Sequence, residues 1–193
     1  MVLSLRMGFI RILRRLGIDT TSLKGRLRGL FRMNIAFNVC RTQYSKNALL
    51  VYIIRPFKDP KWVSNHQGAV QIAELAHILA DRGYNVDAID YLDPYVHLPH
   101  SRKYDLVIAQ FPKDCDCYTM HLGPNAVKIA YITTSSPEFN NRAENSRISD
   151  LYERKGKKLT PMRRIPPMTE DICSYDASLV MGNNRNIGTY EYL

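Results

Sequence analysis

The sequence predicts an α/β fold: an open, mostly parallel sheet with helices on both faces. Three observations carry this. Ala48-Leu-Leu-Val-Tyr-Ile-Ile54 is a continuous apolar run rich in β-branched residues, the pattern of a strand buried on both faces of a parallel sheet rather than on one. Ala69, Ile72, Ala73, Leu75, Ala76 and Leu79 then recur at helical spacing. Further short apolar segments alternate with helical or polar stretches to the end of the chain, which is the order of an open α/β sheet. With 193 residues, 45% hydrophobic and 23% charged, there is material for one domain with its own core.

The elements follow in order. The first strand is bounded by Pro56, and a polar loop from Lys58 to Asn65 leads into the first helix. Gly83 stands just past that helix as a stop signal. Val86 to Tyr91 is the second strand, closed by Asp93-Pro94; Tyr104 to Phe111 is the third, closed by Pro112; Val127 to Thr133 is the fourth. A polar helix is expected from about Glu138 to Arg154, and a fifth strand from Ala177 to Met181, ending at Gly182-Asn183. Ligands of such sheets sit beyond the carboxyl ends of the strands, so the loops there are the places to look for a site.

The net charge of +9 resides in an N-terminal arm. Residues 1–32 hold eight basic residues against the single acid Asp19, a net of +7, and leave +2 for the rest. The domain organisation read from this is an arm over residues 1–46 and a folded body over 47–193. In the arm, Leu5, Phe9, Ile12, Leu13 and Leu16 share one helical face and Arg11, Arg14 and Arg15 the opposite one. A basic amphipathic helix of this kind suits a membrane interface. An organelle transit peptide or a disordered tail has the same composition, and those readings stay open. The longest apolar run is far too short to cross a bilayer. The expected location is cytoplasmic, with peripheral membrane contact through residues 1–32.

Several function classes lack their signatures. There is no G-x-x-x-x-G-K-[ST], no G-x-G-x-x-G after the first strand, no G-x-S-x-G and no H-E-x-x-H. The four cysteines, Cys40, Cys115, Cys117 and Cys173, have neither zinc spacing nor the density of a disulfide scaffold. No metal or bound cofactor is expected. Asp114-Cys115-Asp116 forms a D-x-D that could hold a divalent cation, or be a solvated acidic loop. Between Arg154 and Arg164 six of eleven residues are basic, but no aromatic interleaves from Arg154 to Ile172, so nucleic acid is not the expected partner.

Two groups of residues carry a resemblance. Asn65-His66-Gln67-Gly68 precedes a helix containing Ala73-Glu74-Leu75-Ala76, which ends in Leu79-Ala80-Asp81-Arg82-Gly83-Tyr84 before the second strand. Later, Lys128-Ile129-Ala130-Tyr131 leads to Thr134-Ser135-Ser136-Pro137, then Phe139 to Glu144, Lys155-Gly156, Pro161, Arg163-Arg164 and Asp176 to Asn183. This arrangement, over about residues 48–193, resembles the N-terminal, Rossmann-like half of a GT-B glycosyltransferase of the family-1/family-4 type. The resemblance implies the acceptor-binding half of an enzyme that moves a sugar from a nucleotide-sugar co-substrate to a hydroxyl of a glycan or lipid-linked acceptor. The chain departs from the pattern in two ways. Thr134-Ser135-Ser136 stands where the related sequences often carry Gly-x-His, and the C-terminal donor-binding domain with its paired glutamates is missing. The expectation is therefore little activity without a donor-binding domain or partner subunit.

His66, in the first βα loop, is the expected catalytic residue, since a neutral imidazole serves as a base near neutral pH; a helix cap is the alternative. Asn65 and Gln67 suit hydroxyl recognition, with Asn65 equally suited to the N-cap. Gly68 lets backbone approach a ligand. Thr133 to Ser136 end the fourth strand with hydroxyls, and Thr134, Ser135 and Ser136 above all suit sugar or phosphate contacts at a helix start, or its capping. Arg163 and Arg164 suit a phosphate. Two other readings remain beside the transferase: a non-catalytic α/β protein recruited to membranes, and a metal-dependent GT-A type transferase using Asp114 and Asp116.

Overall fold

The computed structural model describes residues 35–59, 61–62, 66–91, 98–110, 116–162, 164–165 and 175–190. In chain order the elements are β1 (Ile35–Ala36), β2 (Lys46–Tyr52), α1 (Arg55–Lys58), α2 (Gln67–Asp81), β3 (Tyr84–Asp90), β4 (Tyr104–Gln110), α3 (Asp116–Thr119), β5 (Leu122–Ile132), α4 (Pro137–Lys155), β6 (Ala177–Val180) and α5 (Asn184–Ile187).

The apolar run becomes β2, and its side chains divide between two cores. Ala48, Leu50 and Tyr52 pack with Ile72, Ala76 and Leu79 of α2 and with Val86, Ala88, Leu106, Ile108 and Tyr131. Leu49 and Val51 point the other way, to Ile35, Ile89, Tyr104, Val107 and Tyr118. Burial on both faces is what the unbroken pattern predicts. Among the described residues the second face is covered by Leu98 and the single-turn α3, with Tyr175 beside them, rather than by a long helix. The second long helix, α4, buries only Pro137.

The ends of both long helices follow from their residues. His66 is the N-cap of α2, its ring accepting the Gly68 N–H, and Gly83 follows the C-cap at φ +86, a region that costs glycine nothing. Ser136 caps α4 by accepting the Phe139 N–H, with Glu138 in its first turn and Arg154 and Lys155 in its last, so the charges complement the helix dipole.

The sheet has six strands in the order β1-β3-β2-β4-β5-β6; β1 is antiparallel to β3 and every other pair is parallel. The chain leaves β2 for β3 on one side, then crosses back to β4 on the other. That reversal makes a topological switch point between β2 and β4, where a crevice forms outside the strand ends. Numbered alone, the parallel strands run 2-1-3-4-5, one of the two common doubly wound orders. Antiparallel β1 takes the flank where the other order carries a further parallel strand.

The body starts earlier than residue 47. Ile35 and Ala36 pair with Ile89 and Ala88, and the loop after them is stitched to β3. Val39 N–H donates to Val86 O at 2.8 Å. The Asn85 carboxamide accepts from Thr42 Oγ1 and Tyr44 N–H and donates to Tyr44 O. Residues 35–46 therefore belong to the sheet and not to the arm. Residues 1–34, which include the expected basic amphipathic segment over 1–32, lie outside the described residues. No described helix is long and apolar enough to cross a membrane.

One buried carboxylate ties this edge together. Asp87 is fully buried. It accepts from Asn38 N–H (2.8 Å), Arg102 Nε (2.7 Å), Arg102 Nη2 (2.9 Å) and the Tyr104 hydroxyl (2.8 Å). Four donors on one carboxylate make an ion pair in low dielectric tolerable. Asp87→Asn is expected to lower stability by about 3 kcal/mol in urea unfolding at neutral pH, because it strands the Arg102 guanidinium. Burial and then the Asp87 charge push the Tyr104 phenol well above its ordinary value. The fold thus holds that proton more tightly than the unfolded chain does. The stability this gives is complete below about pH 10 and lost as pH rises further. Urea midpoints measured from pH 8 to 11.5 should fall, and Tyr104→Phe should flatten the fall.

Candidate functional site

At the switch point three polar side chains close the carboxyl ends of adjacent strands. Tyr52 ends β2, Gln110 ends β4, and Thr133 follows β5. All three extend the face that packs on α2. Tyr52 sits between Tyr91 and Tyr131, each with its ring centroid 5.8 Å away, the second edge-on. Its hydroxyl has Thr133 as a hydrogen-bonding neighbour, and burial raises its pKa. Gln110 Nε2 donates to Thr133 Oγ1 at 2.7 Å. Farther along, the Tyr131 hydroxyl donates to Gln71 Oε1 of α2 at 3.3 Å. The row Gln110–Thr133–Tyr52 forms a polar floor beneath the first turns of α2.

One atom in this floor is unmatched. Gln110 is 7% exposed, and its Oε1 is buried with no hydrogen-bond partner, alone in this among the described residues. A dry acceptor of this sort costs about 1–3 kcal/mol relative to a satisfied one. Buried polar groups are otherwise almost always paired.

The N-terminus of α2 rests against the floor through Gly68. A side-chain carbon at that position would collide with the Tyr52 hydroxyl and stand 3.2 Å from His66 Nδ1. The glycine is required by this close approach. His66 Nδ1 accepts the Gly68 N–H at 3.1 Å. In the neutral ring this lone pair is the only one, so the proton lies on Nε2, which donates. His66, not Asn65, therefore occupies the N-cap. In this tautomer it offers a donor to a ligand oxygen rather than a base to a hydroxyl, which counts against the expected catalytic role. Gln67 is exposed at the helix start. There is no acidic residue in the first turn of α2, so the helix end keeps its attraction for anions.

The Thr134–Ser136 segment is a hub of internal bonds. Ser136 Oγ is spent on the cap of α4, and its N–H donates to Thr189 Oγ1. Thr134 O accepts from the Tyr190 hydroxyl and Thr134 Oγ1 from Asn140 Nδ2. Ser135 Oγ accepts from Asn186 Nδ2. Thr134 and Ser135 keep a hydroxyl proton to donate; Ser136, 2% exposed, is structural. Arg164 lies elsewhere, in a cavity of about 340 Å³ with Asn141, Asn145 and Pro161. There Asn141 clasps the Ile165 backbone in both directions, at 2.8 and 3.0 Å, and no described contact links Arg164 to the floor. Asn65, Arg163 and Asp114 lie outside the described residues, as does the side chain of Asp116.

The mouth of the crevice carries charge the sequence reading passed over. Arg55 of α1 stacks on Trp62, 4.0 Å from the ring centroid, in the range of a cation–π contact. Lys58 has its pKa lowered by burial, an effect that Asp90 opposes. A larger cavity of about 460 Å³, lined by Asn38, Thr42, Asn85, Arg102 and neighbours, opens at the amino end of β3. It is the wrong end of the sheet, and its polar groups serve the Asn85 and Asp87 networks. Among the described residues no three metal-ligating side chains converge.

The sequence marks Thr133, with Thr134 to Ser136, as a hydroxyl-bearing strand end suited to sugar or phosphate, whereas Tyr52 and Gln110 were missed. Their signal was there: each is a polar end to an apolar strand, on the face that continues toward the helix. No protein family, curated protein or solved structure matches this chain.

Gly68→Ala is expected to destabilise the fold by about 1–3 kcal/mol through the collision with Tyr52. Tyr52→Phe in the same molecule should recover part of that loss. A double-mutant cycle by thermal or urea unfolding measures the coupling.

Proposed function

We propose that the chain is the acceptor-side half of a GT-B type glycosyltransferase, which holds a hydroxylated acceptor while a sugar passes to it from a nucleotide-sugar. The observation that carries this is the polar floor of Gln110, Thr133 and Tyr52 under the glycine-started helix α2, at the switch point of a doubly wound sheet. Neutral amide, hydroxyl and phenol groups on an aromatic bed suit sugar rings, which present hydroxyls and apolar faces together. The α2 N-terminus, the His66 Nε2–H and Arg55 at the mouth suit the oxygens of a diphosphate. In the transfer, the acceptor oxygen bonds to the anomeric carbon as the bond from that carbon to the diphosphate oxygen breaks. The acceptor proton goes to a base, and the departing diphosphate is stabilised by donors aimed at it. The donors are in this half. His66 as capped is not the base, so that group comes from another residue or from a second domain or subunit. Arg164, away from the floor, serves the proposal only as an outlying anion contact. Peripheral membrane contact through residues 1–32 would place the half-enzyme beside a lipid-linked acceptor.

The test is a ¹⁵N NMR titration of the chain with UDP-glucose, UDP-N-acetylglucosamine, GDP-mannose and a set of free oligosaccharides. Shifts at the amides of Gly68, Gln71, Thr133 and Thr134 are expected from at least one of them, with transfer at background until a donor-binding partner is added. Absence of shifts at these amides from every compound overturns the proposal and leaves the non-catalytic reading.

A further inference from the structure

Gln110 departs from its surroundings in two ways. It is the last residue of β4, in register with Tyr131, on the face where Leu106 and Ile108 pack into the α2 core. A leucine or methionine would continue that face without any polar atom to satisfy. The chain instead carries a carboxamide there, fixes its nitrogen on Thr133 Oγ1 at 2.7 Å, and leaves its oxygen dry and unpaired. The cluster at the other edge of the same sheet shows the contrast: every oxygen of buried Asp87 has its donors. Thr133, which fixes the carboxamide nitrogen, also neighbours Tyr52, whose hydroxyl lies against Gly68.

Building on the proposed function, we infer that Gln110 Oε1 is the specificity-determining acceptor of the crevice, taking a hydrogen bond from a hydroxyl of a sugar ring. A neutral amide oxygen accepts from O–H and repels phosphate and carboxylate oxygens, which have no proton to give. The crevice is therefore divided. The hydroxyl-bearing ring lies over Gln110 and Thr133, and anionic oxygens lie toward His66 and the start of α2. Because the acceptor is already desolvated, a ring with a hydroxyl at that point gains a bond the free protein lacks. A ring without one leaves the oxygen bare, and such sites discriminate strongly.

The experiment compares the full chain with its Gln110→Met variant, which keeps length and apolar character and removes the acceptor. The probes are the methyl α-glycosides of glucose, galactose, mannose and N-acetylglucosamine, with inorganic pyrophosphate as the anionic control. Binding is followed at the Gln110 side-chain NH₂ signals and the Gly68, Gln71 and Thr133 amides. At least one glycoside is expected to shift the Gln110 signals in the wild type and to bind about tenfold more weakly to the variant. Pyrophosphate binding should be equal in both, and the variant should melt at the wild-type temperature or above it. Glycoside binding that is equal in the two proteins overturns the inference and leaves the proposed function standing. A lower melting temperature in the variant also overturns it, by making Gln110 a structural member of the floor. If no glycoside shifts any of these signals in the wild type, the acceptor-binding reading itself fails, and the inference fails with it.

Discussion

The central strand β2 imposes the constraint from which the site follows. It pairs with β3 along one edge and β4 along the other, and its side chains are buried on both faces. From Ala48 to Val51 both edges of the strand are paired to neighbours, and the side chains there must find apolar partners. A strand in that position can offer chemistry only at its ends. Because the chain goes to β3 first and to β4 second, the connections diverge above the carboxyl end. The gap they leave is roofed by α2 on one side only. Tyr52 is the residue at which β2 stops being core and starts being floor: its ring is packed among tyrosines, and its hydroxyl reaches Thr133.

Two polar clusters flank this strand, and their difference separates stability from function. At the β1 edge, Asp87 collects a backbone N–H, two guanidinium bonds and a phenol. The Asp87 carboxylate has no oxygen left without donors, and the cluster holds the antiparallel strand and its loop against the parallel sheet. At the carboxyl end, Gln110 has half its hydrogen-bonding capacity unused in a place shielded from water. Folding alone selects against such an atom. Its retention makes sense where another molecule completes it, just as the close approach of Gly68 makes sense where backbone must sit against the floor.

The sequence pattern made the scaffold legible because the scaffold obeys local rules. The doubly buried run, the helical stripe from Ala69 to Leu79, and Gly83 at positive φ each reflect a single physical cause read over a few residues. β1 escaped because two residues carry no period; it exists through pairing with β3 and through the Asn85 and Asp87 bonds from residues 40 positions away or more, which no local window contains. The boundary at residue 47 was misplaced for the same reason. In the site, His66 and Gly68 were visible as a helix start, and the structure brings them together. The Gln110–Thr133–Tyr52 row was not foreseen, since it joins three strand ends that only the sheet order makes neighbours. Arg164 shows another limit of a local reading: a charge run gives no place in the fold, and the structure sets this arginine beside Asn141 and Asn145 of α4, away from the floor.

His66 carries the argument about mechanism furthest. A cap and a base compete for one lone pair. While the ring accepts the Gly68 N–H, its other nitrogen holds the proton and can only donate. Any other use of the Nδ1 lone pair opens the cap and costs the first turn of α2 its closing bond, where Gly68 is wedged against Tyr52. The geometry sets the cheaper use: a fixed donor beside a helix N-terminus, which on the proposed function would meet developing negative charge with no reorganisation. On the proposed function, this crevice would contribute what rigid scaffolds supply best, a buried acceptor for a hydroxyl and preorganised donors for an oxyanion. On that same proposal, the proton of the acceptor hydroxyl would go to a group that this crevice does not itself hold among the described residues.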